Sequence, residues 1–282
     1  MFIAPMLLEK REEPFDDDRY VFEPKIDGHR LVISLSGGRL NMYTRHGNEV
    51  TRQYPELHDV PTRSDIVLDG EVACVNSVTG AIEFESVMER FKLAKEARIT
   101  EAARTRPVHF FAFDVLSVAG RDVRNLPLTE RKAILNESIT NNPYFSRVLS
   151  VEGTGRSLFD VVQARRLEGI VAKRKDSAYV SRRSAAWLKV INYEYADVYI
   201  AGWRKEEFGW LAQDESGRGV GIVELAVPVA HRKAFYSVAR ALVTGEDRAF
   251  VYVEPRVKVR VRFRNWTSGG RLRTPEFVKF IV

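Results

Sequence analysis

Cysteine is almost absent from this chain: the one residue, Cys74, excludes a disulfide framework and any multi-cysteine zinc site. Histidine is sparse and scattered (His29, His46, His58, His109 and His231), with no spacing that suits a metal ligand set. No apolar run is long enough to cross a bilayer. The stretch after Met1 breaks at Glu9-Lys10-Arg11-Glu12-Glu13, too soon for a signal-peptide core. The chain has no internal repeat and no low-complexity linker. These absences lead to the expectation of a soluble intracellular protein with no membrane partner.

What is present suits one large or two modest domains: 282 residues, 45% of them hydrophobic. Basic residues outnumber acidic ones by 44 to 38, giving a net charge of +6. The surplus points weakly to a polyanion, and its placement says more. Acids crowd the first 20 residues, whereas cations fill 165–183 and 256–273.

Residues 1–20 read as an extended arm and loop punctuated by Pro5, Pro14 and an aspartate run. Strands are expected at Val21–Phe22, Leu31–Leu35 and Arg39–Thr44, the last two joined by a Gly37-Gly38 turn. Ile66–Val75 is an apolar strand interrupted by Asp69-Gly70-Glu71. Unpaired carboxylates are costly in such a strand, so this is either a bulge with solvated acids or a site. One helix is predicted from Glu83 to Ala103 by Phe84, Val87, Met88, Phe91 and Ala94. Val108–Leu116 is a buried strand, and Leu128–Ile139 and Ser157–Leu167 are further helices. Alternation along Glu168-Gly169-Ile170-Val171-Ala172-Lys173 puts Glu168 with Ile170 and Ala172, and Lys173 on the other face. Tyr179–Ser184 reads as a basic loop carrying Arg182 and Arg183, before a strand at Trp187–Ile191.

Beyond about Tyr193 the chain turns to short alternating runs, at Val198–Trp203, Gly219–Ala226, Phe250–Val253 and Val257–Arg264, with one helix at His231–Leu242. That pattern predicts a small β-barrel of about 85 residues. Lys258, Arg260, Arg262 and Arg264 alternate on one strand. They form either a stripe for a nucleic-acid backbone or a solvated outer face.

Phe22-Glu23-Pro24-Lys25-Ile26-Asp27-Gly28-His29-Arg30 places a lysine, an aspartate, a glycine and an arginine at a strand entry. On chemistry alone it is either a solvated Lys–Asp pair or a nucleophile beside a phosphate-gripping arginine. Taken with Thr44-Arg45-His46-Gly47, Asp69-Gly70-Glu71, Phe110–Asp114, Glu168-Gly169-Ile170-Val171 and Trp187-Leu188-Lys189, it resembles the ordered elements of the ATP-dependent DNA ligases in the covalent nucleotidyltransferase superfamily. The likeness is to bacterial end-joining and prophage-type catalytic cores. Glu254-Pro255, Trp266-Thr267-Ser268 and Arg271–Phe277 resemble that family's C-terminal barrel.

The resemblance implies an α+β fold: an ATP-grasp-like nucleotidyltransferase domain with antiparallel sheets over 1–193, then a small OB-fold barrel over 194–282. It implies a monomeric, ATP-dependent enzyme of the bacterial cytosol that seals nicked or broken duplex DNA in repair, replication or recombination. Mg²⁺ or Mn²⁺ would be its cofactor, and a DNA end-binding protein a partner by analogy. Lys25 would attack the α-phosphorus and carry AMP. Glu23, Arg30, Glu71, Phe113 and Lys189 would contact the nucleotide, with Phe113 stacked on the base and Glu23 accepting from its amino group. Glu71 and Glu168 would hold the metal. DNA would meet Arg45, Lys173, Arg182, Arg183, Lys258, Arg260, Arg262, Arg271 and Arg273. ATP is preferred to NAD⁺ because only 24 residues precede Lys25 and the chain has one cysteine.

Two positions depart from the family pattern. Ile191 stands where a second phosphate-directed lysine is usual, and alternation makes it share a face with Lys189. Loss of such a contact costs about 2–4 kcal/mol of transition-state stabilisation. Phe280-Ile281-Val282 falls where the family's last basic element would begin. Both departures imply weak self-adenylylation. Competing readings are an RNA ligase or capping-type nucleotidyltransferase, and a DNA-binding relic with an impaired site.

Overall fold

The computed structural model describes residues 2–281; Met1 and Val282, the latter part of the C-terminal reading, lie outside the described residues. The chain divides into two compact units, 1–192 and 193–282.

The first unit holds two sheets. In chain order its strands and helices are β1 (Leu7–Lys10), β2 (Asp17–Pro24), β3 (His29–Ser36), β4 (Arg39–Thr44), β5 (Ile66–Cys74), α1 (Phe84–Lys92), α2 (Glu96–Thr105), β6 (Val108–Val118) and β7 (Arg121–Asp122). There follow α3 (Leu128–Ser138), β8 (Phe145–Arg147), β9 (Val151–Gly153), α4 (Gly155–Ala164), β10 (Gly169–Arg174) and β11 (Arg183–Ile191). One sheet has the order β4-β3-β5-β6-β7, with β8 parallel to β6. The other has the order β1-β11-β10-β2-β9.

Period-two alternation explains how the second sheet is covered. Phe22, Ile170, Ala172 and Val190 point to one face, where Phe159 and Val162 of α4 close over them. Val21 and Trp187 point to the other face and share a core with Phe113 and Leu116 of β6. Between the sheets, Arg131 of α3 makes a two-point ion pair with Asp114 at 2.9 Å and donates to the carbonyls of Leu126 and Ser177. Both side chains are fully buried.

Three sequence expectations change here. The predicted single helix is broken at 93–95, where Leu93 and Lys95 are extended. Phe84, Val87 and Phe91 pack on the first core, while Ile99 and Ala102 bury the separate face of α2. The expected N-terminal arm instead contains β1, paired parallel to β11, and the first half of β2. Arg183 and Ser184, expected in a loop, begin β11 because Leu7 and Leu8 pair with them.

The second unit consists of β12 (Glu194–Arg204), β13 (Trp210–Gln213), β14 (Gly219–Val223), α5 (Val229–Ala239), β15 (Val243–Glu246), β16 (Phe250–Val253), β17 (Lys258–Phe263) and β18 (Glu276–Ile281). The long β12 pairs with β17 along its first half, then with β13 and β16 along its second. A bridge from Leu225 to Glu276 links the end of β14 to β18. The core gathers Val198, Ile200, Trp210, Val259, Val261 and Phe263, with Phe235 of α5 over it.

Candidate active site

The turn between β2 and β3 delivers Lys25. Its backbone N–H donates to the Gly169 carbonyl at 2.8 Å, which ties the turn to the start of β10. Gly28 is required for that path, because a Cβ there would lie 2.1 Å from the Val72 carbonyl oxygen. The Lys25 ammonium donates to Glu168 Oε2 at 2.7 Å.

Alternation alone sends the Glu168 side chain to the α4 side with Ile170 and Ala172. It meets Lys25 instead, across a backbone at Gly169 (φ +152°) that a side-chain-bearing residue rarely adopts and that departs from regular strand geometry. A Cβ at Gly169 would strike the Val190 carbonyl at 2.1 Å. The pocket face of β10 is the one that carries Val171 and Lys173.

The pocket beside Lys25 is lined by Glu23, Arg30, Glu71, Phe113, Val171, Lys173 and Trp187, with Leu8 and Val148 at its edge. Glu23 is buried and held from two sides: the Lys173 ammonium lies 2.7 Å from Oε2, and Lys132 of α3 lies against Oε1. Burial alone would raise this carboxyl, but the two lysines outweigh it and hold it below the usual range. Lys173 is 1% exposed, and its ammonium stands 4.3 Å from the Phe113 ring centroid and 4.2 Å from that of Trp187. Burial draws its pKa down to about 8 despite Glu23. Lys173, expected on DNA, thus stands in the pocket wall, enclosed by two rings and a carboxylate rather than on an exposed surface.

Arg30 also turns inward. It forms a two-point ion pair with the buried Asp69, which accepts from the Tyr179 hydroxyl at 2.6 Å, and its guanidinium lies 4.5 Å from the Phe113 centroid. That pair accounts for the carboxylate of Asp69 in an apolar strand, and it holds Arg30 in the pocket wall. Glu71, the second acid of that strand, faces the pocket; burial pushes its pKa up to about 7, with Lys25 and Arg30 offsetting part of the cost.

Lys189 is half-buried on the same face of β11 as Trp187, next to Val171 of β10. Ile191 follows on that face opposite Gly169 and is buried. It stands one strand from the Lys25 turn rather than in the pocket wall. Arg45 and Arg182 are exposed, as is Arg183, whose guanidinium donates to the Leu8 carbonyl.

In the second unit three cations of the expected basic stripe have acidic partners. Lys258 pairs with Glu215 at 2.9 Å, Arg260 with Asp197 at 2.7 Å and Arg262 with Glu276 at 2.8 Å. Arg271 borders a groove on that unit with Tyr252, Gly219 and Gly221, and Arg273 lies beside Asn265.

Sequence reasoning missed Lys132, Trp187 and Val171 as site residues. Trp187 and Val171 were within reach of alternation once Lys189 and Lys173 were placed, but Lys132 carries no local signal.

Glu71 and Glu168 are the carboxylates able to hold a divalent ion. Among the described residues no cluster of three or more His, Cys, Asp and Glu side chains stands together as a metal site. Two carboxylates fit Mg²⁺, which keeps water and takes much of its coordination from substrate phosphates.

Comparison with known proteins places these features in a family. The family model for the ATP dependent DNA ligase domain matches residues 5–190. The chain is 39% identical to the SPbeta prophage-derived DNA ligase-like protein LigB of Bacillus subtilis, over the full length of both. It is 29% identical to the multifunctional non-homologous end joining protein LigD of Mycolicibacterium smegmatis, covering 97% of this chain but 38% of that protein. Among solved structures, the ligase domain of M. tuberculosis LigD aligns with a TM-score of 0.60 and 26% identity, covering 99% of this chain and 94% of that one.

Proposed function

Because the chain belongs to the ATP-dependent DNA ligase family, we propose that the pocket between Phe113, Val171 and Trp187 receives the adenine of ATP and that Lys25 takes up the AMP. The family reaction seals a break in one strand of duplex DNA. AMP passes from ATP to a lysine and then to a 5′-phosphate, and the 3′-hydroxyl displaces it. The observation that carries the residue assignment is the position of the Lys25 ammonium, at the edge of an aromatic-walled pocket and 2.7 Å from Glu168.

In the first step the lone pair of Lys25 Nζ forms a P–N bond at the α-phosphorus. The P–O bond to the β-phosphate breaks, and its electrons leave with pyrophosphate. Lys25 must first give up a proton, and Glu168 lies within hydrogen-bond reach to hold it. Glu23 accepts from the adenine amino group, kept ionised by Lys132 and Lys173. Lys189 faces the α-phosphate as a fixed cation. Mg²⁺ or Mn²⁺, held by Glu71, Glu168 and the nucleotide's own phosphates, would supply neutralisation of phosphate charge.

We read 1–193 as the adenylyltransferase domain and the second unit as an OB-fold barrel, on the strength of β12 shared among three partner strands and the bridge from β14 to β18. Exposed Arg45 and Arg182, with Arg271 and Arg273 on the barrel, are the cations for the DNA backbone. Sealing of double-strand breaks as well as nicks is suggested by the name of the LigD relative, of which this chain spans 38%.

The test is the intact mass of the protein before and after ATP and Mg²⁺, beside Lys25→Ala. The expected result is a gain of one AMP in wild type alone. An adduct that persists in Lys25→Ala would refute the assignment.

A further inference from the structure

The short edge strand β1 carries a lysine to the nucleotide face. β1 runs parallel to β11 with Lys10 opposite Lys189. Residues opposite one another in adjacent strands point to the same side of a sheet. Lys189 is opposite Val171, and Val171 is opposite Glu23. One row across four strands therefore reads Glu23, Val171, Lys189, Lys10. Its first two members line the pocket, and its last two are cations.

Other positive groups close on the cationic end. Arg183 is fixed to the Leu8 carbonyl beside β1, and Arg45 sits in the turn after β4. Lys189 registers the gathering: burial lowers its pKa first, and then Lys25, Arg183, Lys10 and Arg45 each lower it further. Like charges around a half-buried lysine are unfavourable until an anion joins them. Lys10 pairs with Glu12 at 3.2 Å, a carboxylate itself 57% exposed, and an arriving polyphosphate displaces such a surface pair at little cost.

We propose that Lys10, next in the row beyond Lys189 and its α-phosphate, forms the subsite for the β- and γ-phosphates of ATP and for the pyrophosphate that leaves. The proposal rests on the reading of the pocket as the adenine site, since that fixes which end of the row meets the phosphates. Lys10 is then a leaving-group contact, supplied by the strand at the sheet edge.

The test uses wild type, Lys25→Ala, Lys10→Met and the double variant Lys10→Met with Ile191→Lys. Position 191 is next on the face of Lys189, so a lysine there can reach the same anion. Pyrophosphate binding is measured by calorimetry, AMP loading in a single turnover, and sealing on a pre-adenylylated nick. Lys10→Met should weaken pyrophosphate binding and slow loading, each by about tenfold to a hundredfold, with sealing of the pre-adenylylated nick within about twofold because no pyrophosphate leaves in that step. The double variant should recover part of both losses. Unchanged pyrophosphate binding overturns the proposal. So does a loss confined to the pre-adenylylated nick, which would assign Lys10 to a DNA phosphate. An AMP adduct in Lys25→Ala would refute the assignment of the nucleophile, and calorimetry would still judge Lys10 separately.

Discussion

Replacing Glu71 by glutamine should make the protein's stability less dependent on pH, by an amount the pocket sets. The carboxyl is raised from its ordinary 4.5 to about 7 because burial outweighs Lys25 and Arg30. A raised folded-state value means that the folded form holds its proton while the unfolded form has released it. The resulting stabilisation is full below pH 4.5 and is lost as pH rises through 7. A tenfold difference in proton affinity between the two forms is worth about 1.4 kcal/mol, so wild type should lose roughly 2–3 kcal/mol between pH 5 and pH 8. Glutamine keeps the size and carries no proton to lose. Urea unfolding of the two proteins across that range should show the variant gaining on wild type as pH rises. With a slope of about 3 kcal/mol per molar urea, the gap between midpoints should shift by roughly 1 M. A gap that stays constant from pH 5 to pH 8 would refute the reasoning and place Glu71 in a solvated environment.

Other perturbations test separate parts of the structure. Gly28→Ala should lower stability by roughly 1–3 kcal/mol through the clash with the Val72 carbonyl, and AMP loading should fall with it, as thermal melting and intact mass would report. Arg131→Met leaves Asp114 as an uncompensated buried charge and should cost about 3–5 kcal/mol in urea unfolding. Arg182→Gln should lower the salt slope of nicked-DNA binding by about one, while Arg260→Gln should leave it nearly unchanged because Asp197 already neutralises that guanidinium; equal effects would contradict the proposed DNA face.

Much of the strand framework could be read from short apolar or alternating runs, because that pattern is local, even where a strand such as β10 is buried on both faces. Lys25, Glu71 and Phe113 announced themselves in the same way, by motif and position. What escaped was set by partners distant in the chain. Lys132 reaches Glu23 across 109 residues, and nothing near either one marks the pair. The basic residues of β17 were legible, but their acids come from β12, β18 and the turn after β13, so the pairing of each cation was not. Strict alternation sends Glu168 to the wrong face because it assumes a uniform backbone, and Gly169 departs from that. β1 stayed hidden because four residues carry too little pattern to distinguish an edge strand from an arm.

The parallel pairing of β1 with β11 also makes that edge a point of fragile alignment. Strand side chains alternate, so sliding β1 by a single residue would withdraw Lys10 from the row and offer Glu9 or Arg11 in its place. One direction of slip would set a carboxylate against Lys189; the other would lengthen the cation without removing it. The irregularity between Leu8 and Glu9 is where such slack would be taken up. An insertion or deletion there is a change of one residue in length that rewrites the charge facing the nucleotide, while the hydrophobic core behind the sheet is left untouched.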